Sequence, residues 1–369
     1  MKCDYFGKCG SCTLWEMDYE EQLSHKVEGV KSMLGIDEAD IIRSREEHFR
    51  NRAEFRIFHD YDRGTLSYAM HGFEKGALVK IDACSIVAPP IAEMMSPLLE
   101  AIAKNEMLRQ RLYGVEFLSG SSGQLLVTLI YHKKIDAHWE QEAKKLAQTL
   151  GIELIGRSRG IKLVVTKEWI DEVLEIAGEA YRFKLYDTGF TQPNSGVNRQ
   201  MIAWVKAQIG APEGDLLELY CGHGNFTIPL SRHFPKVLAT EISKRSIQSA
   251  KENCALNRVD NIAFVRLSAE ELTQALAKKR SFKRLAGVDL ESYRFSHLLV
   301  DPPRAGLDEA TRAFAKNFAH LIYISCNPET LLRDLEVLKE VFEVERFACF
   351  DQFAYTKHLE CGVILKKRV

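Results

Sequence analysis

The sequence predicts an α/β protein in two parts: a doubly wound, mainly parallel sheet from residue 187 onward, preceded by an antiparallel α+β domain over residues 1–186. Three observations carry this. At 369 residues the chain exceeds one typical domain of roughly 100 to 200 residues, so two are expected. After residue 187, apolar strand-like runs alternate with amphipathic stretches, the rhythm of parallel strands covered by helices on both faces. Before it, β-rich runs are joined by short glycine-containing turns, as antiparallel strands require.

In the first part, "YEEQLSHKVEGVKSML" (19–34) has helical spacing of its apolar residues. "AEFRIFHD", "GTLSYAMHG", "VEFLSG" and "QLLVTLIYHK" read as strands, interrupted by helices over 89–104 and 137–150. In the second part, the strands "DLLELY", "KVLATEI", "IAFVRLS", "HLLVDPP" and "HLIYISCN" alternate with the helices "FTIPLSRHF", "SKRSIQSAKENCALN", "AEELTQALAKK", "LDEATRAFAKNF" and "PETLLRDLEVLKEVF". "VERFACFDQF" and "CGVILKKR" close the domain as two further strands.

Composition excludes some classes. Fifty Lys+Arg against fifty-one Asp+Glu leave a formal charge of -1, so the global balance calls for no polyanionic partner. A local one remains open: "RSREEHFRNRAEFR" (43–56) carries five arginines, which suits either phosphate contact or a solvated charged face. No apolar run is long enough to span a membrane, and "MKCDYFGKCGSC" lacks the basic start and apolar stretch of a signal peptide. A cytoplasmic protein with no membrane and no obligate protein partner is expected. Nine cysteines without an export signal point to reduced thiols, available as ligands, nucleophiles or packing residues.

The turn after the first strand of the second part is "LELYCGHGNFT". Gly222 and Gly224 let the backbone bend tightly and approach a ligand, and Glu241, ending the next strand nineteen residues after Gly222, is placed to accept hydrogen bonds from ribose hydroxyls. S-adenosylmethionine and NAD both suit such a turn. The third glycine of the dinucleotide pattern is absent, with Phe226 and Thr227 nearby, which favours the donor without a pyrophosphate. Asp301 begins "DPPRAGLD", where two prolines hold an extended exit from another strand of the sheet.

Cys326, in "YISCNPETL", ends a strand at that same edge and precedes a helix with Pro328 in its first turn. Free amides there are expected to lower the thiol's pKa. Methyl transfer to O, N or S needs no covalent nucleophile, but carbon 5 of a pyrimidine does: a thiolate adding to carbon 6 makes carbon 5 nucleophilic, and a base must then remove its proton. Glu360, in "KHLECGVIL", is the candidate base, with His358 as rival.

Together "FTQPN", "LLELYCGHGNF", "LATEISK", "DPPRAGLD", "YISCNPETL" and "FDQFAYTKHLECGVIL" resemble the RNA uracil C5-methyltransferases, and within them the tRNA uracil-54 members. The resemblance continues through "RAEFRIFHD", "YHKKIDAHW" and "LIGRS", over most of the chain. It implies a Rossmann-like class I methyltransferase domain, Cys326 as nucleophile and Glu360 as proton acceptor. It further implies that Gln192, Tyr220, Asn225, Glu241 and Asp301 contact S-adenosylmethionine, and that a tRNA uridine is flipped out to be reached.

One feature departs from the tRNA members. Cys3, Cys9 and Cys12, with Cys84 in "KIDACSIVAPP", resemble the ligands of a [4Fe-4S] cluster in the ribosomal-RNA members. Zinc is the alternative metal, although it is usually held by two close pairs. The wording of "FTQPN" and "CNPETL" resembles the tRNA members, so tRNA is the expected substrate, with a 23S rRNA methyltransferase as the alternative and an RNA-folding module with secondary methylation as a second. Cys221, Cys254, Cys349 and Cys361 read as packing residues.

Overall fold

The computed structural model describes residues 1–368. Its first strands are β1 (Asp40–Ile42), β2 (Arg52–Asp60), β3 (Thr65–His71), β4 (Leu78–Ile81), β5 (Leu112–Ser119), β6 (Leu125–Tyr131), β7 (Glu153–Ser158) and β8 (Ile161–Val164). A hairpin follows, β9 (Trp169–Ile176) and β10 (Glu179–Tyr186). The last seven are β11 (Asp215–Leu219), β12 (Val237–Thr240), β13 (Ile262–Val265), β14 (Phe295–Val300), β15 (His320–Ser325), β16 (Phe342–Phe350) and β17 (Glu360–Lys367).

Strands β2 to β8 form a seven-stranded sheet in the order β4-β3-β2-β5-β6-β7-β8, antiparallel except between β6 and β7. On β2, Ala53, Phe55 and Ile57 alternate inward, the period that a sheet with one covered face imposes. The helices Pro89–Ala103 and Ala137–Leu150 cover that face, and Trp139 is fully enclosed against Gly156 of β7. A Cβ at Gly156 would lie 2.2 Å from the Trp139 ring. Gly156→Ala is accordingly expected to destabilise the fold by about 1–3 kcal/mol through overpacking. Urea unfolding measures this, and an unchanged midpoint would contradict it.

The second sheet has eight strands in the order β1-β16-β17-β15-β14-β11-β12-β13. β11, β12, β14 and β15 run parallel, and β17 inserts antiparallel between β15 and β16. All five residues of β11 and all four of β12 are buried, as strands covered on both faces must be. The chain leaves β11 toward β12 and β13, then returns to β14 on the other side. The edge between β11 and β14 is thus the topological switch point, where the carboxyl ends of neighbouring strands open a crevice.

The seven-stranded sheet lies wholly before residue 187, but the eight-stranded sheet draws β1 from across that boundary. The first helix, Tyr19–Leu34, starts at a capping box of Asp18 and Glu21 and stops at Gly35, which takes the left-handed conformation. It packs on the helix Pro328–Leu338, and β1 pairs in parallel with β16. Residues 19–42 therefore belong to the second sheet's layers. The β9–β10 hairpin likewise packs on the helices Ser195–Gln208 and Lys244–Leu256. Among the described residues no helix is long and apolar enough to cross a membrane.

Candidate active site

The carboxyl ends of β11, β12, β14 and β15 open into one cleft of about 1040 Å³. Gln192, Tyr220, Gly222, Asn225, Glu241, Asp301, Cys326 and Glu360 all line it, so the structure brings together every candidate catalytic and donor-binding residue. The turn after β11 is tight: Tyr220, Gly222 and Gly224 all have positive φ, at 63°, 56° and 90°. A Cβ at Gly222 would meet no neighbouring atom within 4 Å, so the turn opens onto free space on its cleft side. The Gly222 amide donates to Glu241 at 3.3 Å, and Ser243 donates to the other Glu241 oxygen at 2.8 Å, which aims the carboxylate. Asn225 exchanges two hydrogen bonds of 2.9 Å with Asn198, and Gln192 accepts one of 3.3 Å from Gln352.

The Asp301 turn and the Cys326 turn are tied to each other. Asn327 caps the helix Pro328–Leu338 by accepting from the Glu329 amide, while its own amide group donates to the Arg304 carbonyl at 3.1 Å. Thr330 donates to the same carbonyl. Beneath them Asp334, fully buried, accepts from Tyr323, from the Leu307 amide and from Arg312 and Arg333. These residues fix the loop that carries Asp301 against the helix that follows Cys326.

Electrostatics differ from the sequence expectation at the thiol. Burial, with the Glu360 and Asp301 carboxyls beside it, pushes Cys326 up to about 11, and the nearby Arg304 guanidinium only partly opposes this. The helix-terminus argument fails because Cys326 precedes the cap residue Asn327, whose side chain already occupies a free amide of the first turn. Asp301 is itself raised to about 7 by burial, and Glu360, 2 % exposed, is raised well above the usual carboxylate range by burial and by Asp301. Alkylation of Cys326 in the free protein, followed by peptide mass spectrometry, should therefore climb about tenfold per pH unit from 7 to 10. A plateau near pH 8 would contradict this environment.

His358, the rival base, is not among the cleft-lining residues; its ring packs edge-on to Phe353 at 6.0 Å. Residues that sequence reasoning passed over also face the cleft: Phe190, Arg304 and Glu218. Phe190 is 71 % exposed, an apolar ring held at the rim. Glu218 lies within "LELYCGHGNFT" but carries no local sign of its burial.

A family model described as "tRNA (Uracil-5-)-methyltransferase" matches residues 18–368. The chain belongs to that family. It is 52 % identical to a tRNA/tmRNA (uracil-C(5))-methyltransferase of Nitratiruptor sp. over the whole of both chains. It is 51 % identical to one of Aliarcobacter butzleri, covering 100 % of this chain and 99 % of the relative. The fold matches the crystal structure of Pyrococcus abyssi tRNA (uracil-54, C5)-methyltransferase bound to S-adenosyl-L-homocysteine, with a TM-score of 0.74 and 22 % identity, covering 97 % of this chain and 86 % of that one.

The family's methyl donor, S-adenosylmethionine, fits the residues present. Glu218 is 1 % exposed, burial raises it to about 8, and one of its oxygens has no partner among the described residues. An uncompensated buried carboxyl is costly, and a cationic ligand in the cleft relieves that cost. With Gly222 leaving room, and Glu241 aimed by two amides, the cleft has the donor set that a nucleoside bearing a positive sulfonium requires.

The four N-terminal candidates share one cavity wall without converging on a point. Cys3, Cys9, Cys12 and Cys84 line a separate cavity of about 290 Å³, between the first residues of the chain and the segment before Ile86. Burial and the neighbouring thiols push Cys12 up to about 12, and burial pushes Cys84 to about 11. Among the described residues no three such side chains converge closely enough to hold a single metal ion.

Proposed function

We propose that this chain transfers a methyl group from S-adenosylmethionine to carbon 5 of a uridine in folded RNA, uridine 54 of the tRNA T-loop, through a covalent adduct to Cys326. The observation that carries the reading is the convergence of Cys326 and Glu360 on the cleft that Glu241, Asn225 and Gln192 also line. S-adenosylmethionine supplies an electrophilic methyl group on a sulfonium. The Cys326 sulfur, once its proton has passed to solvent, forms a bond as the thiolate to carbon 6 of the flipped uracil, and the electron pair displaced from the ring double bond lets carbon 5 take the methyl group, leaving the donor as neutral S-adenosylhomocysteine. Glu360 then accepts the carbon 5 proton; the C–H pair restores the ring double bond, and the carbon–sulfur bond breaks to return the thiolate. Raised basicity equips Glu360 for that proton.

The tRNA reading is favoured by relatives of about half identity over their full length. A face for RNA is available on the outer side of the seven-stranded sheet, where Arg56 lies over Tyr113 at 5.4 Å, Tyr113 stacks on His132 at 4.0 Å, and Lys80 lies over Phe58 at 4.1 Å. Aromatic rings interleaved with cations suit unstacked bases and phosphates. Incubation with radiolabelled donor and purified tRNA, 23S rRNA or both tests the substrate: label confined to 23S rRNA would overturn it. Loss of 5-methyluridine in cellular tRNA on deletion of the gene is the matching result in vivo.

The cofactor reading extends to a [4Fe-4S] cluster held by Cys3, Cys9, Cys12 and Cys84. Four thiols surrounding a cavity support a cluster, in which each ligand binds a different iron, over one ion at a single point. Anaerobic purification with iron, sulfide and zinc analysis checks it, and zinc without iron would replace the cluster. Transfer needs no electrons, so the role proposed is to fasten the N-terminal segment.

A further inference from the structure

The loop that delivers the proposed base is held by a residue from the far end of the chain. Residues 351–359 connect β16 to β17, and Glu360 is the first residue of β17. The Lys26 side chain, 2 % exposed, comes from the first helix, and its ammonium meets Asp351 at 2.5 Å, the Phe353 carbonyl at 3.4 Å and the His358 carbonyl at 3.5 Å. These partners lie at the entrance, the middle and the exit of the loop. One cation thus closes the connection on itself. A lysine has three donors and no acceptor, so this site uses its whole bonding capacity inside the protein.

The neighbours reinforce the tie. Gln22, one turn before Lys26 on the same helix, accepts from the Tyr355 amide at 2.6 Å, and the Leu14 amide donates to the Tyr355 carbonyl at 3.0 Å. The loop in turn touches the cleft twice: Phe353 lines it, and Gln352 donates to the cleft-lining Gln192. Nothing in this arrangement brings Lys26 to the cleft itself. We infer that Lys26 is a positioning residue, which holds the 351–359 loop so that Glu360 and Phe353 meet the substrate correctly, and that its loss slows proton removal more than donor or RNA binding. This rests on the reading of Glu360 as proton acceptor.

Lys26→Met alone leaves Asp351 buried without a countercharge and tests folding together with position. The double variant Lys26→Met/Asp351→Leu removes both charges and is the decisive protein, with Glu360→Gln run beside it. Three quantities are measured: affinity for S-adenosylhomocysteine, kcat and KM for tRNA, and the fraction of protein held as RNA adduct on a denaturing gel. The double variant is expected to keep its ligand affinity and KM within about twofold, to lose up to about 10²-fold in kcat, and to accumulate adduct that the wild type does not. A merely structural role lowers the active fraction without raising adduct per active site, and that result would overturn the inference, as would wild-type kcat. Adduct with Glu360→Gln but none with the double variant overturns the role of Lys26 and leaves the base intact. Absence of adduct in both removes the base assignment itself.

Discussion

Cys326→Ala is expected to lower single-turnover methylation of tRNA by at least about 10⁴-fold while leaving affinity for S-adenosylhomocysteine unchanged. Carbon 5 of uracil is too weak a nucleophile to take a methyl group unassisted, so the barrier returns in full when the sulfur is lost. The cleft holds a second thiol, Cys221, but it cannot substitute. It is 3 % exposed, its sulfur points toward the Gly222 carbonyl at 3.9 Å, and burial raises its pKa well above the ordinary thiol value. Cys326 packs at the end of β15 without holding Glu241, Asn225 or Gln192, whose own partners are Gly222, Asn198 and Gln352. Donor affinity and chemistry should therefore separate. More than a tenth of wild-type activity in the alanine variant would defeat the adduct mechanism.

The doubly wound sheet was legible because its signals are local: a buried strand and an amphipathic helix each declare themselves within a dozen residues. The donor turn was legible for the same reason, since Gly222 and Gly224 must lie where the backbone takes positive φ. What escaped was set by distance along the chain. β1 is three residues long with two of them exposed, and only its partner β16, three hundred residues later, makes it a strand. Lys26 reads as one more polar position of an amphipathic helix until Asp351 is placed opposite it. The thiol illustrates the error most clearly: the helix beginning at Pro328 is adjacent in sequence, whereas the burial that raises the thiol most, and the Glu360 and Asp301 carboxyls that add to it, depend on β17 and β14. One local signal was passed over. "WIDEVLEI" and "EAYRFKLY" alternate around Ala177 and Gly178 and form the β9–β10 hairpin.

Glu360→Gln should have the opposite phenotype to Cys326→Ala: the reaction begins but does not finish. Glutamine keeps the size of the side chain and its hydrogen-bonding capacity, but its amide cannot take the carbon 5 proton. Methylated RNA should therefore stay bonded to the protein and migrate with it on a denaturing gel, with release slowed by about 10²–10⁴-fold. Adduct formation should not slow in parallel. Glu360 is among the groups that raise Cys326, so wherever Glu360 is ionised its replacement by glutamine lowers the thiol's pKa and increases the thiolate. The variant is thus expected to capture RNA at least as fast as wild type and to hold it. His358→Ala provides the contrast, because that ring packs on Phe353 outside the cleft and its loss should leave release intact. Were Glu360→Gln to release 5-methyluridine at the wild-type rate while His358→Ala trapped the adduct, the proton would have to travel to the imidazole. The buried carboxyl beside Asp301 would then be a structural partner of the thiol and not its exit route.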